Sequence, residues 1–182
     1  MKTYRPLLLL VALLAFGACK REEKVDPAVD NEAITTATLR LTNRADAADV
    51  VTATVESLDK TPNFTQARLT LRANATYAGV VLLQDKSKTP ATDVTAEIKK
   101  LQNEHLLVYT PAAGLNLAIN STDRDTNPAP GPYPVGLTFD VVTRAASVGK
   151  LNVVLRHQPN SKNGTPAPGT TDLDTNFDVV IR

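Results

Sequence analysis

The sequence predicts an all-β fold: an antiparallel, immunoglobulin-like β-sandwich of about eight or nine strands with one short helix. Short segments in which β-branched and apolar residues alternate with polar ones recur along the chain, as in half-buried strands. Proline and glycine are concentrated between these segments, where turns are expected. Helical periodicity occurs in one place, whereas a parallel α/β fold needs a helix between most strands.

Four strands are predicted in the first half of the chain. The first is rich in threonine, the second is β-branched without breakers, the third alternates strictly, and the fourth is an almost continuous apolar run. These segments are residues 34–42, 50–58, 67–73 and 77–83.

One helix is predicted after Pro90, because Thr92 and Asp93 can cap it and the next apolar residues have helical spacing. Its apolar stripe consists of Val94, Ile98, Leu101 and His105. Strand patterns then return in residues 106–109, 115–120, 135–143, 148–157 and 177–181.

The beginning of the chain has the pattern of a secretory signal. Lys2 and Arg5 precede an apolar run that ends at Cys19, well short of the roughly 20 apolar residues needed to span a bilayer. Residues 16–19, Phe-Gly-Ala-Cys, resemble the lipobox of bacterial lipoproteins, in which the cysteine becomes the lipid-bearing N-terminus. The resemblance implies a lipid anchor on Cys19; the alternative is an ordinary secretory signal with a free thiol.

This interpretation divides the chain into a signal peptide (1–18), the lipidated cysteine with a flexible tether (19–31) and a β-sandwich domain (32–182). The charged cluster at residues 20–24 resembles the tether that some Gram-negative bacteria use to place lipoproteins on the outer face of the outer membrane. A solvated linker on a periplasm-facing lipoprotein is the alternative. We therefore expect an outer-membrane lipoprotein of the cell envelope, attached to the membrane through Cys19.

Composition argues against two classes of partner. Without residues 1–18 the chain keeps 164 residues, enough for one domain, with 18 basic and 19 acidic side chains. This balance provides no basic surface for nucleic acid. Four Tyr, four Phe and no Trp leave few rings for the exposed aromatic surfaces that commonly hold sugars, so glycan binding is disfavoured.

The two histidines are candidate ligands of a transition metal. Glu104 and His105 form an adjacent pair, and His157 ends a predicted strand, so the three side chains together could supply an open zinc site. The alternative is that both histidines lie at the margin of the core, because each continues an apolar face.

Asp123, Asp125 and Asn127 place three oxygen ligands at alternating positions, as calcium loops do. The expected bidentate Glu is replaced by Pro134, however, and no Gly occupies the sixth position. Residues 172–178 repeat the spacing. The turn-forming preferences of Asp and Asn explain both runs without an ion.

The sequence contains no nucleophile elbow, no zinc-protease helix motif and no phosphate-cradling glycine loop. We expect no catalytic residue and no cofactor beyond a zinc or calcium ion at the candidate sites. A two-carboxylate hydrolase is left open, because any pair among the 19 acids can converge in the fold.

Several stretches resemble a family of small, β-rich bacterial lipoproteins of the Gram-negative cell envelope that has no assigned reaction. They are residues 32–36, 93–98, Glu104, His105, Tyr109 and 155–162. The resemblance implies a surface or periplasmic accessory protein. Some members of that family are grouped with periplasmic-binding-protein folds, which the strand pattern here contradicts.

The expected function is that of a lipid-anchored, non-enzymatic binding or accessory protein of the cell envelope, associated with an outer-membrane uptake receptor. Recognition is expected in loops such as residues 121–134. One alternative is a lipoprotein that binds zinc or copper through Glu104, His105 and His157. The other is an envelope hydrolase.

Overall fold

The computed structural model describes residues 32–182, which form eleven strands and one helix. The predicted signal peptide, Cys19 and the tether lie outside the described residues. The strands are β1 (Thr36–Asn43), β2 (Val50–Glu56), β3 (Asn63–Gln66), β4 (Arg68–Leu71), β5 (Thr76–Asp85), β6 (Thr92–Asp93), β7 (His105–Pro111), β8 (Leu117–Ser121), β9 (Thr138–Thr143), β10 (Ser147–His157) and β11 (Thr170–Ile181), and the helix is α1 (Val94–Lys100).

Two sheets face each other. The larger has the strand order β3-β2-β1-β5-β9-β8, with β6 attached to β5, and the smaller has the order β4-β11-β10-β7. All pairings in the described range are antiparallel except that of β11 with β4. The predicted all-β antiparallel sandwich with one short helix is confirmed.

The core lies between the sheets and is largely aliphatic. Alternate residues on the long strands point into it, including the fully buried Leu39, Val81, Leu155 and Phe177. The core residues extend from Ile34 to Ile181. Residues 25–182 therefore contain all of the core in the described range, and we expect them to fold without the signal segment.

The structure has more strands than the sequence predicts because β3 and β6 lack a burial pattern. All four residues of β3 are exposed at a sheet edge, and β6 has only two residues. A strand without a buried face gives no alternation of apolar and polar residues. Among residues 32–182, no helix has the length and apolar character needed to cross a membrane.

The predicted helix begins where expected but is shorter. The Asp93 carboxylate accepts a hydrogen bond from the Ala96 N–H at 3.1 Å, which confirms the predicted cap. The helix ends at Lys100, and a turn over residues 101–104 follows, in which the Glu104 N–H donates to the Leu101 carbonyl. The prediction that His105 belongs to the helix stripe was wrong, because His105 is the first residue of β7.

Candidate metal centre

The two histidines lie opposite each other on neighbouring strands. His105 opens β7 and His157 ends β10, and the antiparallel register pairs them directly. Their rings are parallel within 5°, with centroids 4.7 Å apart, and both side chains are buried. Each histidine continues the inward-facing row of its strand, so the pair closes one end of the core.

A β-bulge adds Asp172 to this pair. The pairing of β10 with β11 shifts between Leu155 and Arg156, which leaves Asp172 as an extra residue on β11. Regular alternation would turn Asp172 away from the core, because its neighbour Leu173 points inward. Instead, the Asp172 side chain is 0% exposed and its Oδ2 lies 3.8 Å from His105 Nε2. Ligand atoms of these two residues and of His157 lie within 4.8 Å of one another.

The inward-facing polar atoms of the cluster have no side-chain hydrogen-bond partner in the described part of the chain. These atoms are His105 Nε2, His157 Nδ1 and both carboxylate oxygens of Asp172. His105 Nδ1 lies 3.0 Å from the Leu101 carbonyl, which can only accept, so Nδ1 carries the proton and Nε2 presents its lone pair. An unpaired buried polar group costs about 1–3 kcal/mol, so three such residues meeting at one point call for an explanation.

Burial shifts the pKa values of two groups in the cluster toward their uncharged forms. Burial lowers the pKa of His105, and the hydrogen bond to Leu101 only partly opposes it. Burial likewise raises the pKa of Asp172, against the opposing effects of His157 and Arg156. Each shift disfavours the charged form of its group. A cation placed between these side chains would satisfy the carboxylate and use the neutral imidazole as a ligand.

One separation in the cluster is close to the ligand spacing around a small metal ion. Ligands about 2.0–2.2 Å from a tetrahedral zinc ion lie about 3.3–3.6 Å apart. The distance of 3.8 Å from His105 Nε2 to Asp172 Oδ2 therefore needs shifts of only a few tenths of an ångström, whereas the widest separation in the cluster, up to 4.8 Å, would have to close by up to about 1.5 Å on metal binding. The hydrogen bond from His105 Nδ1 to a backbone carbonyl is the usual outer-shell contact that orients a metal-binding histidine.

The two glutamates beside the cluster occupy different sides of it. Glu32 Oε1 lies 3.8 Å from His105 Nε2, and its side chain is 15% exposed. Glu104 Oε2 lies 3.7 Å from His157 Nε2, on the outer side of that ring, and is 38% exposed. Thus the structure brings the three predicted residues together, with Glu104 beside His157 Nε2, and it adds Asp172 beside His105 Nε2.

The loop between β10 and β11 is braced by hydrogen bonds, and this fixes Asp172 relative to His157. Arg156 donates to the carbonyls of Pro168 and Gly169 and to the Thr171 hydroxyl. Gln158 Nε2 donates to the carbonyls of Thr165 and Pro168 at 2.8 and 3.1 Å. Gly169, at a φ of 79°, lets the loop pass so close to the His157 carbonyl that a Cβ would collide with it.

The predicted calcium ligands are occupied by other contacts. The Asp123 carboxylate accepts hydrogen bonds from the backbone N–H groups of residues 136–138. The Asp125 carboxylate accepts from the Tyr133 N–H, from the backbone N–H and the side-chain Nδ2 of Asn127, and from Lys162 Nζ. These contacts brace the loop, as the turn interpretation expects, and a calcium ion would have to displace them. The second acidic run lies within β11 rather than in a loop.

Sequence reasoning missed Asp172 and Glu32 as members of the cluster. Asp172 belongs to a run of alternating acids that also fits an exposed strand or turn, and Glu32 lies at the predicted end of the tether. Neither position carries a local signal. The motif stretches at residues 32–36 and 155–162 and the Glu104–His105 pair nevertheless meet at this end of the sandwich.

Comparisons with known protein families, with curated proteins and with solved structures found no significant match. The resemblance to envelope lipoproteins stays a prediction.

Proposed function

We propose that this chain is a non-enzymatic metal-binding protein of the cell envelope, which holds one zinc or copper ion between His105, His157 and Asp172. The observation that carries the proposal is the convergence of buried acceptor atoms from three strands without side-chain partners. Such an arrangement is unfavourable without a cation and favourable with one.

The donor types favour zinc or copper over calcium or magnesium. Imidazole nitrogens are common ligands of zinc and copper, whereas calcium and magnesium prefer oxygen ligands in larger numbers. Burial of the cluster supports a structural or carrier role, because catalytic metal sites keep a coordination position open to substrate.

The cell-envelope address is part of the proposal and is supported by the sequence around Cys19. A lipid anchor there would hold a metal-binding domain at the outer membrane, where it could serve as an accessory to an uptake receptor. Labelled palmitate is expected to enter the wild-type protein and not a Cys19→Ala variant. Equal labelling of the two proteins would contradict the proposed lipid anchor on Cys19.

Competition with a chromogenic chelator tests metal binding. Residues 25–182, which lack the thiol of Cys19, are expected to bind one equivalent of zinc or copper. Asp172→Asn should weaken binding by more than about 100-fold, because losing a ligand costs at least as much as losing an outer-shell partner. Glu104→Gln should have the smaller, outer-shell effect of at most about 100-fold.

Asp174→Asn is the matched control, because Asp174 is an exposed acid on the same strand whose carboxylate contacts Asn152. Its metal affinity should equal that of the wild type. Absence of binding by the wild-type protein, or equal affinities of Asp172→Asn and Asp174→Asn, would contradict the proposed function.

A further inference from the structure

We infer that Glu32 is the fourth ligand of the same ion, so that metal binding fastens the beginning of the sandwich domain to the paired ends of β7 and β10. This inference rests on the proposed function. It adds a ligand that no strand pattern indicates and gives the metal an effect on the chain just before β1.

The position of Glu32 matches that of Asp172. Glu32 Oε1 and Asp172 Oδ2 each lie 3.8 Å from His105 Nε2, although they come from opposite ends of the described chain. The Glu32 backbone also hydrogen-bonds to Asp172, which holds this segment against the cluster. A metal ion between His105 and Asp172 would therefore lie within easy reach of the Glu32 carboxylate.

Charge balance for a divalent ion favours a second carboxylate. Two neutral imidazoles and one carboxylate would leave a divalent ion with a net charge of about +1 in a buried site, where uncompensated charge is strongly unfavourable. The Glu32 carboxylate makes the site neutral and raises the number of protein ligands to four. Four ligands without an open position are typical of structural zinc sites.

Coordination by Glu32 would restrain the chain where it enters the fold. Glu32 is followed by Ile34, which is part of the core, and by Thr35, whose N–H donates to the Gln84 carbonyl at 3.0 Å. A metal-bound side chain at residue 32 adds an attachment point ahead of these contacts. Zinc should therefore slow amide hydrogen exchange at residues 32–34 more than at strand positions remote from the cluster.

The test uses the full chain in detergent. Glu32 directly follows the predicted tether (19–31), and the shortened protein, residues 25–182, lacks part of that tether. A Cys19→Ala background removes the competing thiol. Zinc affinity is measured by chelator competition, and cobalt(II) is substituted to record its visible spectrum. Glu32→Gln keeps the shape of the side chain and removes its charge. Glu56→Gln, at an exposed acid paired with Lys86, is the matched control.

Glu32→Gln is expected to weaken zinc binding by more than about tenfold, to change the cobalt bands and to abolish the slowing of exchange at residues 32–34. Glu56→Gln should change none of these. Retention of wild-type affinity and spectrum by Glu32→Gln would overturn the fourth-ligand inference alone, because the other three ligands would still bind. Failure of the wild-type protein to bind zinc or cobalt would overturn the proposed function itself.

Discussion

Replacing Lys162 with methionine is expected to lower the free energy of unfolding by about 3–5 kcal/mol. Lys162 Nζ lies 2.9 Å from Asp125 Oδ2 and donates to the Gln102 carbonyl at 2.8 Å. The side chains of this ion pair are 1% and 0% exposed. Methionine has a similar volume but leaves the Asp125 carboxylate buried without its cation. An uncompensated buried charge is strongly destabilising.

Urea unfolding of residues 25–182 at neutral pH measures this effect. Lys150→Met is the matched control, because Lys150 pairs with Asp178 at 2.7 Å while their side chains are 65% and 46% exposed. That exposed pair should contribute less than about 1 kcal/mol. A second change, Asp125→Asn, should recover part of the loss in Lys162→Met. Equal losses in the two lysine variants would show that burial of the Lys162 pair has no energetic consequence.

The same pair determines how stability depends on acid. Burial alone would raise the pKa of Asp125, but hydrogen bonds from Lys162, Tyr133 and Asn127 outweigh it and lower the pKa below 3.8. A carboxyl group with a lowered pKa in the folded state stabilises the protein above its ordinary pKa, and this contribution is lost as pH falls through the lowered value. In Lys162→Met, one of the hydrogen bonds that lower the pKa of Asp125 is missing, so burial raises this pKa relative to the wild type. Stability should therefore begin to fall at a higher pH than in the wild type.

Zinc is expected to raise the free energy of unfolding of the wild-type domain by about 4 kcal/mol when free zinc is about 1,000 times the dissociation constant. Asp172→Asn should lose most of this gain. Without metal the same variant should be more stable than the wild type by about 1 kcal/mol, because it removes a buried charge that has no side-chain hydrogen-bond partner. If Asp172 served packing alone, Asp172→Asn would change the free energy of unfolding in the same direction with and without zinc.

The pH dependence gives this prediction a second readout. The pKa of Asp172 is raised in the folded protein, so the folded state binds this proton more tightly than the unfolded chain does. Asp172 therefore destabilises the metal-free protein as pH rises above 3.8, and the advantage of Asp172→Asn should shrink toward pH 4. Asp174→Asn should show neither effect. A metal-free Asp172→Asn protein that is less stable than the wild type at neutral pH would contradict the prediction.

The elements of the fold could be predicted because their signals are local. Alternation over residues 67–73 marks β4, and the capping position of Asp93 marks the start of α1. Short periodic segments separated by turns were enough to predict the sandwich, because each strand must present one apolar face to a shared core. The edge strand β3 could not be found in this way, because all of its residues are exposed.

The sequence by itself determined the all-β class, the position of the helix cap and the two histidines as candidate ligands. Tertiary structure alone decided that His105 faces His157, through the register of β7 with β10, and that Asp172 turns inward at a bulge. The same pairing places Asp172 beside His105 and Glu104 beside His157. The apolar pattern of a strand shows which residues face inward, but it does not show which strand lies beside it or where a bulge falls, because both depend on pairing between segments far apart in the chain.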